Sequence, residues 1–171
     1  MIFTSTKTYG AERGLSCAYR QWAAESQCAL LHGYSLGFRF EFAAEQLDRR
    51  GWVVDFGRGG FGAIRDWLHE MFDHTLLVAE DDPDREIFKT LADHGLAELR
   101  FVPTTSCEGL AALALTKAQE IIEARTKGRC WVVSVTCMEH GANSATCHDP
   151  QSLHRQMASE ALRKALSEEN A

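Results

Sequence analysis

The chain has 171 residues, 45% of them hydrophobic, and a formal net charge of −6, which fits one domain with an ordinary buried core. An acidic balance argues against a broad nucleic-acid footprint, which needs a basic face, and no run of about 18 apolar residues offers a membrane span. The N-terminal stretch MIFTSTKTYGAERG has neither the basic start nor the apolar centre of a secretory signal, so a cytoplasmic protein is expected.

Residues 2–9, rich in Thr with Phe3 and Tyr9, read as a short strand. A longer strand is expected over 31–47, where His32, Tyr34, Leu36, Phe38, Phe40 and Phe42 share one parity and therefore one face. The turn DRRG leads to a second extended piece, WVVDF, before glycines 57, 59, 60 and 62 break the chain. From Phe61 the pattern becomes helical, with Ile64, Leu68, Met71 and Phe72 on the same face. After Asp73-His74 comes the apolar stretch TLLVA. Asp82 then reads as an N-cap with Pro83 as first helical residue, and that helix should stop near Gly95.

A short extended piece, LRFVP, precedes a helix opened by Ser106 and Glu108 and striped with Leu110, Leu113, Ala114 and Ile121. Residues 130–139 read as a buried strand whose Trp131, Val133, Val135, Cys137 and Glu139 share parity, and Asp149-Pro150 should start a last helix over about 150–167. Two strands, then helices, then strands and a helix make an α+β fold with an antiparallel sheet rather than a doubly wound one. Such a sheet leaves long edges, which pairing between subunits would close.

Six cysteines with no C-x-x-C pair suggest reduced thiols in a chain long enough to fold without staples. Polar groups recur where elements end. Cys28 and His32 precede the long strand, Asp73-His74 ends a helix, Ser106-Cys107-Glu108 opens another, and Glu139 closes a strand. A carboxylate ending an apolar row either reaches solvent or an arginine, or it receives a ligand with a guanidine-like edge. Asp73-His74 is either a helix-end cap or a pair in which a carboxylate fixes an imidazole tautomer. Cys28 is either inert or a reactive thiol. Histidines 69, 94, 140, 148 and 154 show no metal spacing and read as solvated, with His140 able to border a pocket beside Glu139.

In this order C-x-x-x-H-G-x, D-F, F-D-H, P-T-x-x-x-E and a strand ending in Glu resemble the 6-pyruvoyl-tetrahydropterin synthase family, from about Ser16 to Cys147. That family includes the bacterial 6-carboxytetrahydropterin synthases of the queuosine pathway. The resemblance implies a tunnelling (T-fold) domain, an antiparallel four-stranded sheet with helices on one face. It also implies that subunits pair into a barrel and a hexamer of two trimers, with sites between subunits. It makes Cys28 the base, Asp73 and His74 its helpers, Glu139 the pterin anchor, and Ser106, Cys107 and Glu108 the pocket lining. The implied substrate is 7,8-dihydroneopterin triphosphate and the reaction a lyase step on its side chain.

The family holds zinc with three histidines. The matching positions here are Tyr19, His32 and Tyr34, so only His32 remains of the metal set, and a phenol is a poor ligand until it ionises. Zinc is therefore not expected, although Cys17 could stand in as a ligand beside Tyr19. The segment of about 75–103 reads as an insertion within a single domain spanning 1–171. The alternative to an enzyme is a pterin- or purine-binding homologue acting as a sensor or partner subunit.

Overall fold

The structure, a computed structural model, describes residues 1–152. Its spine is the strand β3 (His32–Ala44). Two earlier strands, β1 (Phe3–Tyr9) and β2 (Leu15–Tyr19), run antiparallel to it in succession. β1 pairs with the later half of β3, from Tyr9↔Phe38 to Phe3↔Ala44, and β2 with the earlier half, from Tyr19↔His32 to Leu15↔Leu36. Further on in the chain come α1 (Phe61–Phe72), β4 (Thr75–Ala79), α2 (Arg85–Asp93), β5 (Glu98–Val102), α3 (Cys107–Thr126), β6 (Cys130–Met138) and β7 (Ser144–His148).

The sheet has seven strands and is mixed, not the four antiparallel strands expected. The antiparallel part has five strands, β1, β2, β3, β6 and β7. What the sequence reading missed is that residues 75–103 add to it. β4 pairs parallel to β2 and β5 parallel to β4, with α2 as the crossover that parallel neighbours require. TLLVA is buried throughout, as a strand covered on both faces must be.

The one-parity reading of β3 holds for its core. Leu36, Phe38, Phe40, Phe42 and Ala44 are all buried beneath α1 and α3 with Ile64, Leu68, Leu110 and Ala114. Each buried phenylalanine contributes about 1.5–3 kcal/mol by leaving water. α3 presents small residues, Ala111, Ala114 and Ala118, to the sheet, so the helix lies close to it.

β6 departs from strict alternation. Glu41 pairs with Ser134 and Phe42 with Val132, so Val133 is an extra residue in a bulge. Cys130, Val132, Val135 and Cys137 consequently face the helices, whereas Trp131 and Val133 join Ala43 on the opposite face. The single row expected from Trp131 to Glu139 is thus split at the bulge.

Three local expectations also change. WVVDF forms no strand; Arg129 donates to the carbonyls of Gln46 and Val53, satisfying this backbone from a side chain instead of a neighbouring strand. α2 starts at Arg85, not Pro83, because the carboxylate of Asp82 is taken by Arg20 at 2.6 and 2.9 Å instead of capping alone. β3 spans 32–44 rather than 31–47. The caps at Ser106, whose hydroxyl accepts from the Gly109 amide at 3.2 Å, and at Asp149, which accepts from Ser152, are as expected. The expected terminal helix beyond residue 152 lies outside the described residues. Among the described residues no helix is long and apolar enough to cross a membrane.

Candidate functional site

Antiparallel pairing places Tyr19 opposite His32 and Cys17 opposite Tyr34 on one face of β2 and β3. Gly33 permits that approach, since any side chain there would meet the Cys17 carbonyl at 2.5 Å. The three rings form a cluster, with centroids 5.1 Å apart for Tyr19–His32, 5.6 Å for His32–Tyr34 and 6.2 Å for Tyr19–Tyr34. His140 extends it, 5.6 Å from Tyr34.

Glu139 follows the last residue of β6 and turns toward this cluster. The fully buried Tyr19 donates its hydroxyl proton to Glu139 Oε1 at 2.8 Å. Burial, and then the neighbouring carboxylate, push the phenol far above its ordinary pKa, so Tyr19 is a neutral donor across the working pH range. Glu139 also lines a cavity of about 380 Å³ with Gln21, Cys107, Glu108 and Asn143. Two carboxylates facing one cavity accept hydrogen bonds and select a ligand edge rich in N–H groups.

Cys107 and Glu108 line this cavity as the sequence suggested. Ser106 does not; its side chain is the cap of α3. The Cys107 thiol is lowered from its ordinary range, chiefly by the hydrogen bond from Cys137, and Cys137 is correspondingly raised by that bond and by burial. Cys17 is buried, and its thiol is pushed up to about 12 by desolvation, which makes it an inert packing group.

Cys28 is exposed in a short 3-10 turn, its amide donating to Ser26 Oγ at 3.3 Å. Its carbonyl accepts from the Gln21 amide at 2.8 Å, which sets it beside a residue lining the Glu139 cavity. His74 lies elsewhere, with its amide donating to the Ser16 carbonyl at 2.7 Å near the opposite end of β2. Within one protomer the structure groups Tyr19, His32, Tyr34 and Glu139; Cys28 is tied by its backbone to Gln21, and His74 lines a separate cavity with Cys17 and Tyr34.

The Asp73–His74 pair is bonded, with His74 Nδ1 2.7 Å from Asp73 Oδ1. Sequence reasoning missed its support, His69, which was read as a solvated histidine. His69 Nδ1 lies 3.3 Å from Asp73 Oδ2, and its Nε2 lies 2.5 Å from the Tyr9 hydroxyl. The spacing of four between His69 and Asp73 was the available signal, because such residues are neighbours on a helix. Burial raises the Asp73 carboxyl, but the bonds from His74 and His69 outweigh it and leave the group below its usual pKa.

Tyr19, His32 and Tyr34 offer a donor set poor for a metal. Tyr19 keeps its proton and commits it to Glu139, and His32 Nδ1 lies 2.7 Å from the Leu30 carbonyl, leaving one nitrogen. Among the described residues no three His, Cys, Asp or Glu side chains are placed to hold a metal ion. One imidazole and two phenols do not fit a metal that wants three or four N, S or carboxylate ligands.

Taken together, these features define an α+β domain with a cavity whose lining includes the carboxylate that follows β6. A family model described as 6-pyruvoyl tetrahydropterin synthase matches residues 10–150, and the chain belongs to that family. It is 34% identical over 64 residues to the 6-carboxy-5,6,7,8-tetrahydropterin synthase of Rickettsia felis, a match covering 35% of this chain and 43% of that one. With the enzyme of the same name from Rickettsia bellii it shares 34% over 74 residues, 41% of this chain and 49% of that one. The chain thus spans less than half the length of these relatives in the matched regions.

Solved structures agree on the fold. An uncharacterized protein from Wolinella succinogenes superposes with a TM-score of 0.71 at 18% identity, covering 87% of this chain and 99% of that one. The 6-pyruvoyl tetrahydropterin synthase of Plasmodium vivax gives a TM-score of 0.58 at 17% identity, covering 87% and 98%.

Proposed function

We propose that the chain binds the pterin ring of 7,8-dihydroneopterin triphosphate against Glu139 and acts as a lyase on its side chain, in the manner of the 6-carboxy- and 6-pyruvoyltetrahydropterin synthases. Family membership supports a pterin lyase-like role. The observation that carries the finer reading is the Glu139 carboxylate, fixed through Oε1 by Tyr19 while the residue lines a cavity. A pterin presents an amino group and ring N–H on one edge, and a carboxylate pairs with such donors in a bidentate, charge-assisted way.

In this reading Cys28 takes a proton from the side-chain carbon, and the Asp73–His74 pair moves protons to and from the reacting end. The side chain then either loses triphosphate with rearrangement or releases a two-carbon aldehyde. The Cys28 backbone is anchored at Gln21, just past one end of β2, and that of His74 at Ser16, near the other, so in this reading each complete site would draw them from two copies in a homo-oligomer. Tyr34 and His32 would hydrogen-bond the substrate hydroxyls, at about 1 kcal/mol per bond. No step is routed through a metal, for which the donor set is wrong.

The test is turnover of dihydroneopterin triphosphate by the wild-type protein and by Cys28→Ala. Activity in the first, with none in the second and pterin binding unchanged, supports the proposal. Pterin binding without turnover in the wild type would replace it with the binding homologue.

A further inference from the structure

The side chains of Tyr9, His69, Asp73 and His74 make one continuous hydrogen-bonded line from β1 through the end of α1 to the solvent. Tyr9 is buried and His74's side chain is 87% exposed. The hydroxyl of Tyr9 meets His69 Nε2 at 2.5 Å, His69 Nδ1 meets Asp73 Oδ2 at 3.3 Å, and Asp73 Oδ1 meets His74 Nδ1 at 2.7 Å. Tyr9 is itself held in place, edge-on to His69 with ring centroids 5.7 Å apart and 6.4 Å from the Phe61 ring.

The end of this line is strained. His74 has φ of +56°, a left-handed conformation that costs a residue with a Cβ about 1–2 kcal/mol, and its amide is tied to Ser16.

We infer that His69 and Tyr9 are positioning residues for the Asp73–His74 pair, setting which nitrogen of His74 carries the proton. This inference deepens the proposed lyase reading. An ionised carboxylate only accepts hydrogen bonds, so each imidazole nitrogen facing Asp73 carries hydrogen. His69 then presents a bare Nε2, which accepts from Tyr9. His74 likewise presents a bare Nε2 to solvent, the form a general base needs. His69 occupies the second oxygen of Asp73 and so prevents the carboxylate from turning away from His74. The other charged groups near Tyr9 are Arg13, whose guanidinium lies 5.9 Å from its ring centre, and Arg65.

The experiment is ¹⁵N-imidazole and ¹³C-carboxyl NMR of the full chain, comparing wild type, His69→Phe and His69→Gln. In wild type His74 should be mainly the Nδ1–H tautomer. In His69→Phe the Nε2–H tautomer should gain and the Asp73 titration should move to higher pH. His69→Gln, whose amide still donates to the carboxylate, should restore both. Should His69→Phe fail to fold, Tyr9→Phe decides the matter, with the same directions expected. An unchanged His74 tautomer and Asp73 titration in a folded variant overturn the inference.

These readouts need no substrate, so they stand apart from the lyase reading. If turnover is present, kcat in His69→Phe should fall roughly tenfold with KM kept within about twofold. A shifted tautomer in a protein without turnover would keep the positioning role and remove the lyase assignment.

Discussion

Tyr19 of β2 and Glu139, just past β6, are 120 residues apart in sequence and are joined by one hydrogen bond of 2.8 Å. That bond takes the buried phenol and the cavity carboxylate out of each other's way as unsatisfied groups. Tyr19→Phe keeps the packing and removes the donor, leaving a carboxylate oxygen without its partner. A loss of about 1.5–3 kcal/mol is expected, the range for a bond to a charged group, read from the urea midpoint. A shift no larger than that of a surface substitution would mean that the bond contributes nothing.

Burial of Tyr19, and then the same bond, set a pH dependence. The folded pKa of Tyr19 is raised above the unfolded value of about 10. Its contribution is therefore complete below pH 10 and is lost only as pH rises toward the folded value. A tyrosinate absorbance titration, compared with Tyr19→Phe, should find Tyr19 unionised above pH 10 until the protein unfolds.

Glu139→Gln retains size and one acceptor but removes the charge. A pterin should bind at least about tenfold more weakly, equivalent to about 1.4 kcal/mol, with global stability altered by less than about 1 kcal/mol. Pterin fluorescence titration measures the first and chemical denaturation the second. Equal affinity in both proteins would place the ring elsewhere.

Restoring histidine at both phenol positions, Tyr19→His with Tyr34→His, should assemble three imidazoles on the face where β2 and β3 already converge three rings. Elemental analysis should then find close to one zinc per chain, against little in the parent. Zinc prefers such a nitrogen set with one open position. No gain in zinc would show that the three positions are not the old ligands.

Asp82 is buried and grips Arg20 through both oxygens. The Arg20 guanidinium holds its carboxyl below the ordinary range. Its stabilisation is thus present above the unfolded pKa of about 3.9 and is lost as pH falls through the lower folded value. Asp82→Asn should cost about 3 kcal/mol at neutral pH, as breaking one partner of a buried pair does, and should flatten the acid limb of the stability curve. Because Arg20 begins the loop that carries Cys28, turnover should also fall.

Much of this was legible in the sequence because the signals are local. The parity of β3 from Leu36 to Phe42, the helical stripe from Phe61 and the cap at Ser106 depend on neighbours a few residues away. The convergence of Tyr19, His32 and Tyr34 followed from β-strand alternation plus one family register. What was not legible depended on partners far along the chain. Asp82 looked like a cap until Arg20 claimed it, and WVVDF looked like a strand until Arg129 satisfied its carbonyls. Parallel pairing of β4 and β5 needs a crossover that no short apolar run announces. His69 was passed over because a polar residue on a helix end reads as solvated unless its contact at i+4 is considered together with Tyr9 across the fold.

The bulge at Val133 decides which way Glu139 faces. Were the same residues to alternate strictly, with no bulge at Val133, the carboxylate would keep step with Trp131 and turn its back on Tyr19. Removing Val133 itself should leave both halves of the strand in phase with their present surroundings. Adding or removing one residue between 134 and 139 should instead rotate the acid out of its cavity, so tolerance to length changes along β6 should be sharply uneven on the two sides of a single valine.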